Sequence, residues 1–108
     1  QVLSYIDSHL GERLSVSDLA DVAGLSRAHF SRIFTASEGL SPAEFVLQRR
    51  LRRAAKLLTS AANIPIKEVS VLCGFEDPNY FSKVFRRLYG TNPSEFRTTG
   101  MYASVRQN

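Results

Sequence analysis

The chain has little of what metal-, disulfide- or cofactor-dependent proteins rely on. Its single cysteine, Cys73, excludes an internal disulfide and a cysteine-based zinc site. A reducing interior compartment is the simplest setting for it. No apolar run approaches the ~18–20 residues of a membrane span. No basic start followed by an apolar stretch marks a signal peptide. The expected setting is therefore cytoplasmic, with no membrane partner. His9 and His29 are the only histidines. No carboxylate pair, metal-ligand spacing or phosphate loop accompanies them, so no enzyme, cofactor or metal site is expected. The only methionine is Met101, so Gln1 is not a translation start. The chain is expected to be a fragment or a processed product.

What is present is a chain of 108 residues, 44% hydrophobic and 22% charged. That is ordinary for one globular domain with a core of its own. The net charge of +4 is unevenly spread. Residues 1–26 carry Arg13 against Asp7, Glu12, Asp18 and Asp21, a net of −3. Residues 27–56 carry seven basic residues against Glu38 and Glu44, a net of +5, and residues 57–108 a net of +2. A basic middle suits a polyanionic partner.

The strongest feature is an internal repeat. Residues 16–45 read VSDLADVAGLSRAHFSRIFTASEGLSPAEF, and residues 66–96 read IKEVSVLCGFEDPNYFSKVFRRLYGTNPSEF. At an offset of 50, Leu19 matches Val69, Val22 matches Leu72, Gly24 matches Gly74 and Leu25 matches Phe75. At an offset of 51, Phe30 matches Phe81, Phe34 matches Phe85, Gly39 matches Gly90, Pro42 matches Pro93 and Phe45 matches Phe96. The second copy has one extra residue near Glu76-Asp77. The chain holds two copies of one supersecondary unit.

Each unit reads as a short helix, a tight turn and a second helix. Leu19, Val22 and Ala23 recur at helical spacing, and Ser15 with Asp18 makes an N-cap. Gly24 stops that helix, and Ser26 caps the next. Phe30, Ile33, Phe34 and Ser37 are its expected buried stripe. In the second copy Asp77 caps, Pro78 takes the first helical position, and Phe81, Val84, Phe85 and Leu88 form the stripe. This is the helix-turn-helix shape. Three further helices are expected. One lies over residues 2–10, with Val2, Leu3, Ile6 and Leu10 inward. A long linker helix opens at Ser41-Pro42-x-Glu44 and runs to about Thr59, with Leu47, Leu51, Ala54, Ala55 and Leu58 inward. A short last helix, about 93–97, opens at Asn92-Pro93. Residues 98–108 lack periodicity and read as a tail. The expected class is all-α, with about seven helices: a first helix-turn-helix over about 15–39, the linker helix over about 42–59, and a second helix-turn-helix over about 65–90.

An α-helix fits the major groove of DNA, and the second helix of such a unit enters it. The stripe opposite the buried one is Ala28, Ser31, Arg32 and Thr35 in the first copy, with Arg27 at its edge. In the second it is Asn79, Ser82, Lys83 and Arg86, with Tyr80 and Arg87 beside it. Arginine and lysine donate to guanine O6 and N7, and asparagine pairs with an adenine edge. The competing reading is the wet face of an amphipathic helix. No aromatic platform for unpaired bases is expected, since the aromatics fall on the inward stripes.

The linker helix carries Arg49, Arg50, Arg52, Arg53 and Lys56. Phosphate contact, a docking face for another protein and a solvated face with arginine stems over apolar surface all stay open for this run. Arg49, Thr35, Arg86 and Arg87 are candidate phosphate contacts, as are the helix N-termini at Pro42 and Pro93, where backbone N–H groups point outward. A linker of about 18 residues is about 27 Å long, against about 34 Å between successive major grooves on one face of DNA. His29, between Ala28 and Phe30, reads as partly packed or touching phosphate. Cys73 matches Ala23 and is expected in a small buried slot. Ser70, where the first copy has Ala20, is expected to bond a carbonyl of its own helix.

Taken together, residues 1–97 resemble the DNA-binding domain of the AraC/XylS family of bacterial transcription regulators. The resemblance is carried by Gly74-Phe75-Glu76-Asp77-Pro78-Asn79-Tyr80-Phe81-Ser82-Lys83-Val84-Phe85-Arg86-Arg87, followed by Gly90, Pro93, Phe96 and Arg97. The stretch from Ala23 through Phe34 agrees with the family's looser first motif. The resemblance implies binding to double-stranded promoter DNA, with activation through RNA polymerase. It implies base readers at Arg27, Ala28, Ser31, Arg32, Asn79, Tyr80, Ser82 and Lys83. It also implies a separate N-terminal sensing or dimerisation domain. The alternative is a helical protein-interaction module that uses the basic linker helix and reads no bases.

Overall fold

The computed structural model describes the backbone of residues 1–107 and the side chains of residues 1–100. Seven helices follow in order: α1 Val2–Ser8, α2 Val16–Ala23, α3 Arg27–Glu38, α4 Pro42–Ser60, α5 Ile66–Leu72, α6 Pro78–Tyr89 and α7 Pro93–Gln107. No strand occurs among the described residues. None of their helices is long and apolar enough to cross a membrane. The chain divides into two units, Gln1–Arg50 and Leu51–Asn108, and α4 supplies residues to both.

In the first unit the Ser15 hydroxyl accepts from the Asp18 N–H at 3.0 Å, and the Ser15 N–H donates to the Asp18 carboxylate at 3.2 Å. This reciprocal box satisfies two amides that the start of α2 leaves without helical partners. The helix ends where Gly24 takes φ 71°, a left-handed conformation open to glycine for want of a Cβ. The Leu25 N–H then reaches back to the Ala20 carbonyl at 3.0 Å, the closing bond of a Schellman turn. Ser26 caps α3 by accepting from the His29 N–H at 3.2 Å. Ile6, Leu10, Leu19, Ala20, Phe30, Phe34, Phe45 and Val46 form one buried cluster. Phe34 meets Phe45 edge-on at 5.1 Å between ring centroids. The Arg50 guanidinium donates to the carbonyls of Leu10 and Glu12 at 3.1 and 2.6 Å, closing the chain beyond α1 onto α4.

The second unit repeats the turn. The Phe75 N–H donates to the Ser70 carbonyl at 2.9 Å, with Gly74 at φ 90°. Asp77 caps α6 through the Asn79 N–H, with Pro78 at the first helical position. Leu51, Ala54, Leu58, Val69, Cys73, Phe75, Phe81, Val84 and Phe85 are buried. Arg97 does for this unit what Arg50 does for the first. It donates to the carbonyls of Leu58 and Ala61 at 2.9 and 3.3 Å, at the end of α4. Ser70 is fully buried and donates to the Lys67 carbonyl of its own helix at 2.8 Å, as its position suggested. Cys73 occupies the expected buried slot.

Several stripe positions depart from expectation. Leu3, Val22, Ile33 and Leu88 are exposed, as are Ala23 and Ser37. Helical spacing marks an apolar side, but a helix of two or three turns touches its neighbours only along the middle of that side. In α2 that line is Leu19 and Ala20, and in α3 it is Phe30 and Phe34. The tail expected over 98–108 is helical as far as Gln107. Residue 108 lies outside the described residues, as do the side chains from Met101 onward. Missing periodicity signals the lack of a face to bury, not the lack of a helix. No proline interrupts the stretch, and most of its residues are tolerated in helices.

Gly100, in α7, lies close against the end of α4. A Cβ built on it would stand 2.7 Å from the Thr59 methyl. The Thr59 hydroxyl lies 3.3 Å from the Ala55 and Lys56 carbonyls, which holds that side chain in place. Gly100→Ala is expected to destabilise the chain by about 1–3 kcal/mol through overpacking. Combining it with Thr59→Ser, which removes the methyl, should recover most of the loss. Urea unfolding of the two variants and the wild type checks this.

Candidate nucleic-acid interface

A helix turns 100° per residue, so burying Phe30 and Phe34 dictates what α3 shows outward. Arg27, Ala28, Arg32 and Thr35 are exposed, and Ser31 is half-buried. In α6, burial of Phe81, Val84 and Phe85 leaves Asn79, Tyr80, Lys83, Arg86 and Arg87 exposed and Ser82 half-buried. The repeat is therefore kept in exposure as well as in sequence, down to the half-buried serines. Among the described residues, the side chains of Arg27, Arg32, Lys83 and Arg86 make no hydrogen bond or ion pair. They are available to an outside acceptor. Tyr80 lies outward, as its place beside the stripe implied, and is an exception to the reading that the aromatics fall on the inward stripes. It is 49% exposed, with its ring centroid 6.4 Å from that of Phe75.

The basic run on α4 is divided. Arg49 pairs with both carboxylate oxygens of Asp7 at 3.1 Å, and its guanidinium carbon stands 4.8 Å from the centre of the Phe45 ring. Arg50 faces the carbonyls of Leu10 and Glu12. Arg52, Arg53 and Lys56 are exposed and make no hydrogen bond or ion pair among the described residues. Burial pushes the Tyr89 hydroxyl pKa up, and the nearby Arg52 charge opposes that rise. Sequence spacing alone separates none of these roles, because each depends on what another segment brings alongside.

The two helix N-termini offer less than expected. Pro42 and Pro93 are buried and have no N–H to give. The Glu44 N–H is taken by the Ser41 hydroxyl at 3.2 Å, and the Glu95 N–H by the Asn92 side chain at 2.8 Å. The amides of Ala43 and Ser94 remain, with Glu44 and Glu95 in the same first turns. Those carboxylates oppose an anion there.

His29 is exposed on α3, beside the outward line of Ala28 and Arg32. It stands at the offset of 51 from Tyr80, and each is the third residue of its helix. Of the two expectations for His29, packing or phosphate contact, its exposure speaks against packing.

The division of the basic run is open to direct measurement. Arg50→Met is expected to lower unfolding free energy by at least about 1.5 kcal/mol, because it removes charge-assisted bonds to backbone carbonyls. Arg53→Met, at an exposed side chain that makes no hydrogen bond or ion pair among the described residues, should stay within about 0.5 kcal/mol of wild type. Chemical unfolding of the two variants reads the difference.

A family model described as a helix-turn-helix domain matches residues 19–99. The chain is 37% identical over 94 residues to the probable transcriptional regulator LumQ of Photobacterium leiognathi, covering 87% of this chain and 38% of LumQ. It is 30% identical over 101 residues to the probable transcription factor PqrA of Proteus vulgaris, covering 92% of this chain and 82% of PqrA. Among solved structures, the DNA-binding domain of AdpA, a global transcriptional factor in complex with a target DNA, is similar with a TM-score of 0.89. That likeness has 31% identity and covers 99% of this chain and 94% of that one. The chain spans about a third of the length of several curated relatives it matches, LumQ among them. With the repeated units, their outward faces and these likenesses together, the chain belongs to the AraC/XylS family of helix-turn-helix, DNA-binding transcription regulators.

Proposed function

We propose that this chain reads a promoter operator with two helices, α3 and α6, each entering a major groove. The observation that carries the reading is the repeated outward face, on which Arg27, Arg32, Lys83 and Arg86 make no side-chain hydrogen bond or ion pair among the described residues, while phenylalanines hold the opposite side of each helix. Arg32 and Lys83 stand at matching positions as donors to guanine O6 and N7. Asn79 is suited to an adenine edge, and Arg27, Ala28, Tyr80 and the two half-buried serines, Ser31 and Ser82, complete the reading faces. Thr35, Arg86 and Arg87 flank those faces as phosphate contacts, which fix register without carrying sequence information. Arg49 and the N-termini at Pro42 and Pro93 are weaker phosphate contacts, since Asp7 and the capping side chains already engage them.

The 19 residues of α4 span about 28 Å. One chain would thereby address two grooves about 34 Å apart, with the DNA bent where the spans differ. The longer protein would act in the cytoplasm as an activator, through RNA polymerase, with an N-terminal sensing or dimerisation domain setting when it binds.

Selection of duplexes from a random pool, followed by binding of the enriched sequences against salt, tests this. Two short motifs about one helical turn apart are expected. A steep salt slope without any enriched motif would leave backbone binding alone. No binding at low salt would favour the protein-interaction module built on Arg52, Arg53 and Lys56. Arg32→Ala and Lys83→Ala should each weaken binding by about 1–3 kcal/mol and relax preference in one half of the site. A uniform loss on every sequence would reduce them to phosphate contacts.

A further inference from the structure

We propose that His29, which shares its repeat position with the reader Tyr80, contacts a backbone phosphate beside the reading face of the first helix-turn-helix, and that it makes binding by that half depend on pH. This rests on the DNA reading above and adds a residue and a regulating variable to it. Three observations carry it. His29 is exposed, on the same side of α3 as Ala28 and Arg32. Its backbone N–H is held by the Ser26 cap in the first turn of α3, the end that the DNA reading sets at a groove. Its register partner, Tyr80, is exposed at the same position of α6. The two copies thus place a ring with a polar edge at the same point, an imidazole in the first and a phenol in the second.

The surroundings leave the ring available. On α3 the ionisable neighbours are Arg27, Arg32 and Glu38. The elements packed with α3 bring Asp18 and Asp21 from α2, and Glu44 and Arg49 from α4. Among the described residues none of these forms a hydrogen bond or ion pair with His29. The other histidine is differently placed. His9 is half-buried, its ring is stacked on Tyr5 at 4.0 Å, and its Nδ1 lies 2.7 Å from the Tyr5 carbonyl.

Histidine is the side chain whose charge changes between about pH 5 and 8. A phosphate beside the ring favours the imidazolium form. Affinity therefore rises as pH falls, with one more backbone charge neutralised at the low end.

The test uses the 108-residue chain and the duplex enriched by selection, with binding followed by fluorescence anisotropy over a salt series at about pH 5.5 and pH 8. The wild-type plot of log affinity against log salt should be steeper at the lower pH by about 0.9, the value of one phosphate contact. His29→Gln keeps a polar side chain without the charge and should bring the two slopes together. His9→Gln should leave their difference intact. Equal slopes in the wild type, or a difference that survives in His29→Gln, would overturn the proposal. A difference abolished by His9→Gln would overturn it too. Absence of binding at both pH values would instead overturn the DNA reading beneath it.

Discussion

In both units the reader helix takes its direction from one small device, the turn that follows the first helix. Gly24 and Gly74 carry the backbone through the left-handed region. The next residue then returns its N–H to the carbonyl five positions earlier, Leu25 to Ala20 and Phe75 to Ser70. A residue with a Cβ is strained in that conformation. Without the turn, α2 and α5 would run on or end loosely, and α3 and α6 would lose their angle of departure. The side chains at the turn serve the same end. Leu25 packs against the first core, and Phe75 is buried in the second. Ser26 and Asp77 begin the next helix two or three residues after the glycine.

Two arginines bind the outer elements to this centre. Arg50 and Arg97 each donate twice to carbonyls at or just beyond the end of a preceding helix. Helix ends leave such carbonyls without helical partners, and a planar guanidinium satisfies two at once. These arginines are not at matching repeat positions, since Arg50 lies five residues after Phe45 and Arg97 one after Phe96. The repeat is therefore stricter in its core and turns than in its fastenings. The aromatic cores show the same pattern: Phe30, Phe34 and Phe45 recur as Phe81, Phe85 and Phe96, and each set packs as a chain of tilted and edge-on rings.

The surface charge follows from this division of labour. The linker helix looks uniformly basic in sequence, yet only part of its charge faces outward unpaired. Arg49 is answered by Asp7, from the acidic opening segment. Long arginine stems also cover apolar surface, as the contact of Arg49 with Phe45 illustrates. Among the described residues, the charge that makes no hydrogen bond or ion pair lies on Arg52, Arg53 and Lys56, on Arg27 and Arg32 of α3, and on Lys83 and Arg86 of α6.

The internal repeat by itself determines a good deal. Two glycines, two prolines and the spaced phenylalanines, repeated in one order, specified two helix-turn-helix units and the helix between them. Local caps such as Ser15 with Asp18, and Asp77 before Pro78, were equally legible, because their bonds join residues two or three apart. The outward positions Arg32 and Lys83 followed from the inward phenylalanines, since helical geometry ties one face to the other. What tertiary structure alone decided concerns the edges of stripes and distant partners. It exposed Val22, Ile33 and Leu88, engaged Arg49 and Arg50, and continued α7 past Arg97. Periodicity gives the side of a helix that is apolar, but the width of the contact depends on the neighbour. A hydrogen bond from Arg50 to a residue 40 positions away leaves no mark on local spacing.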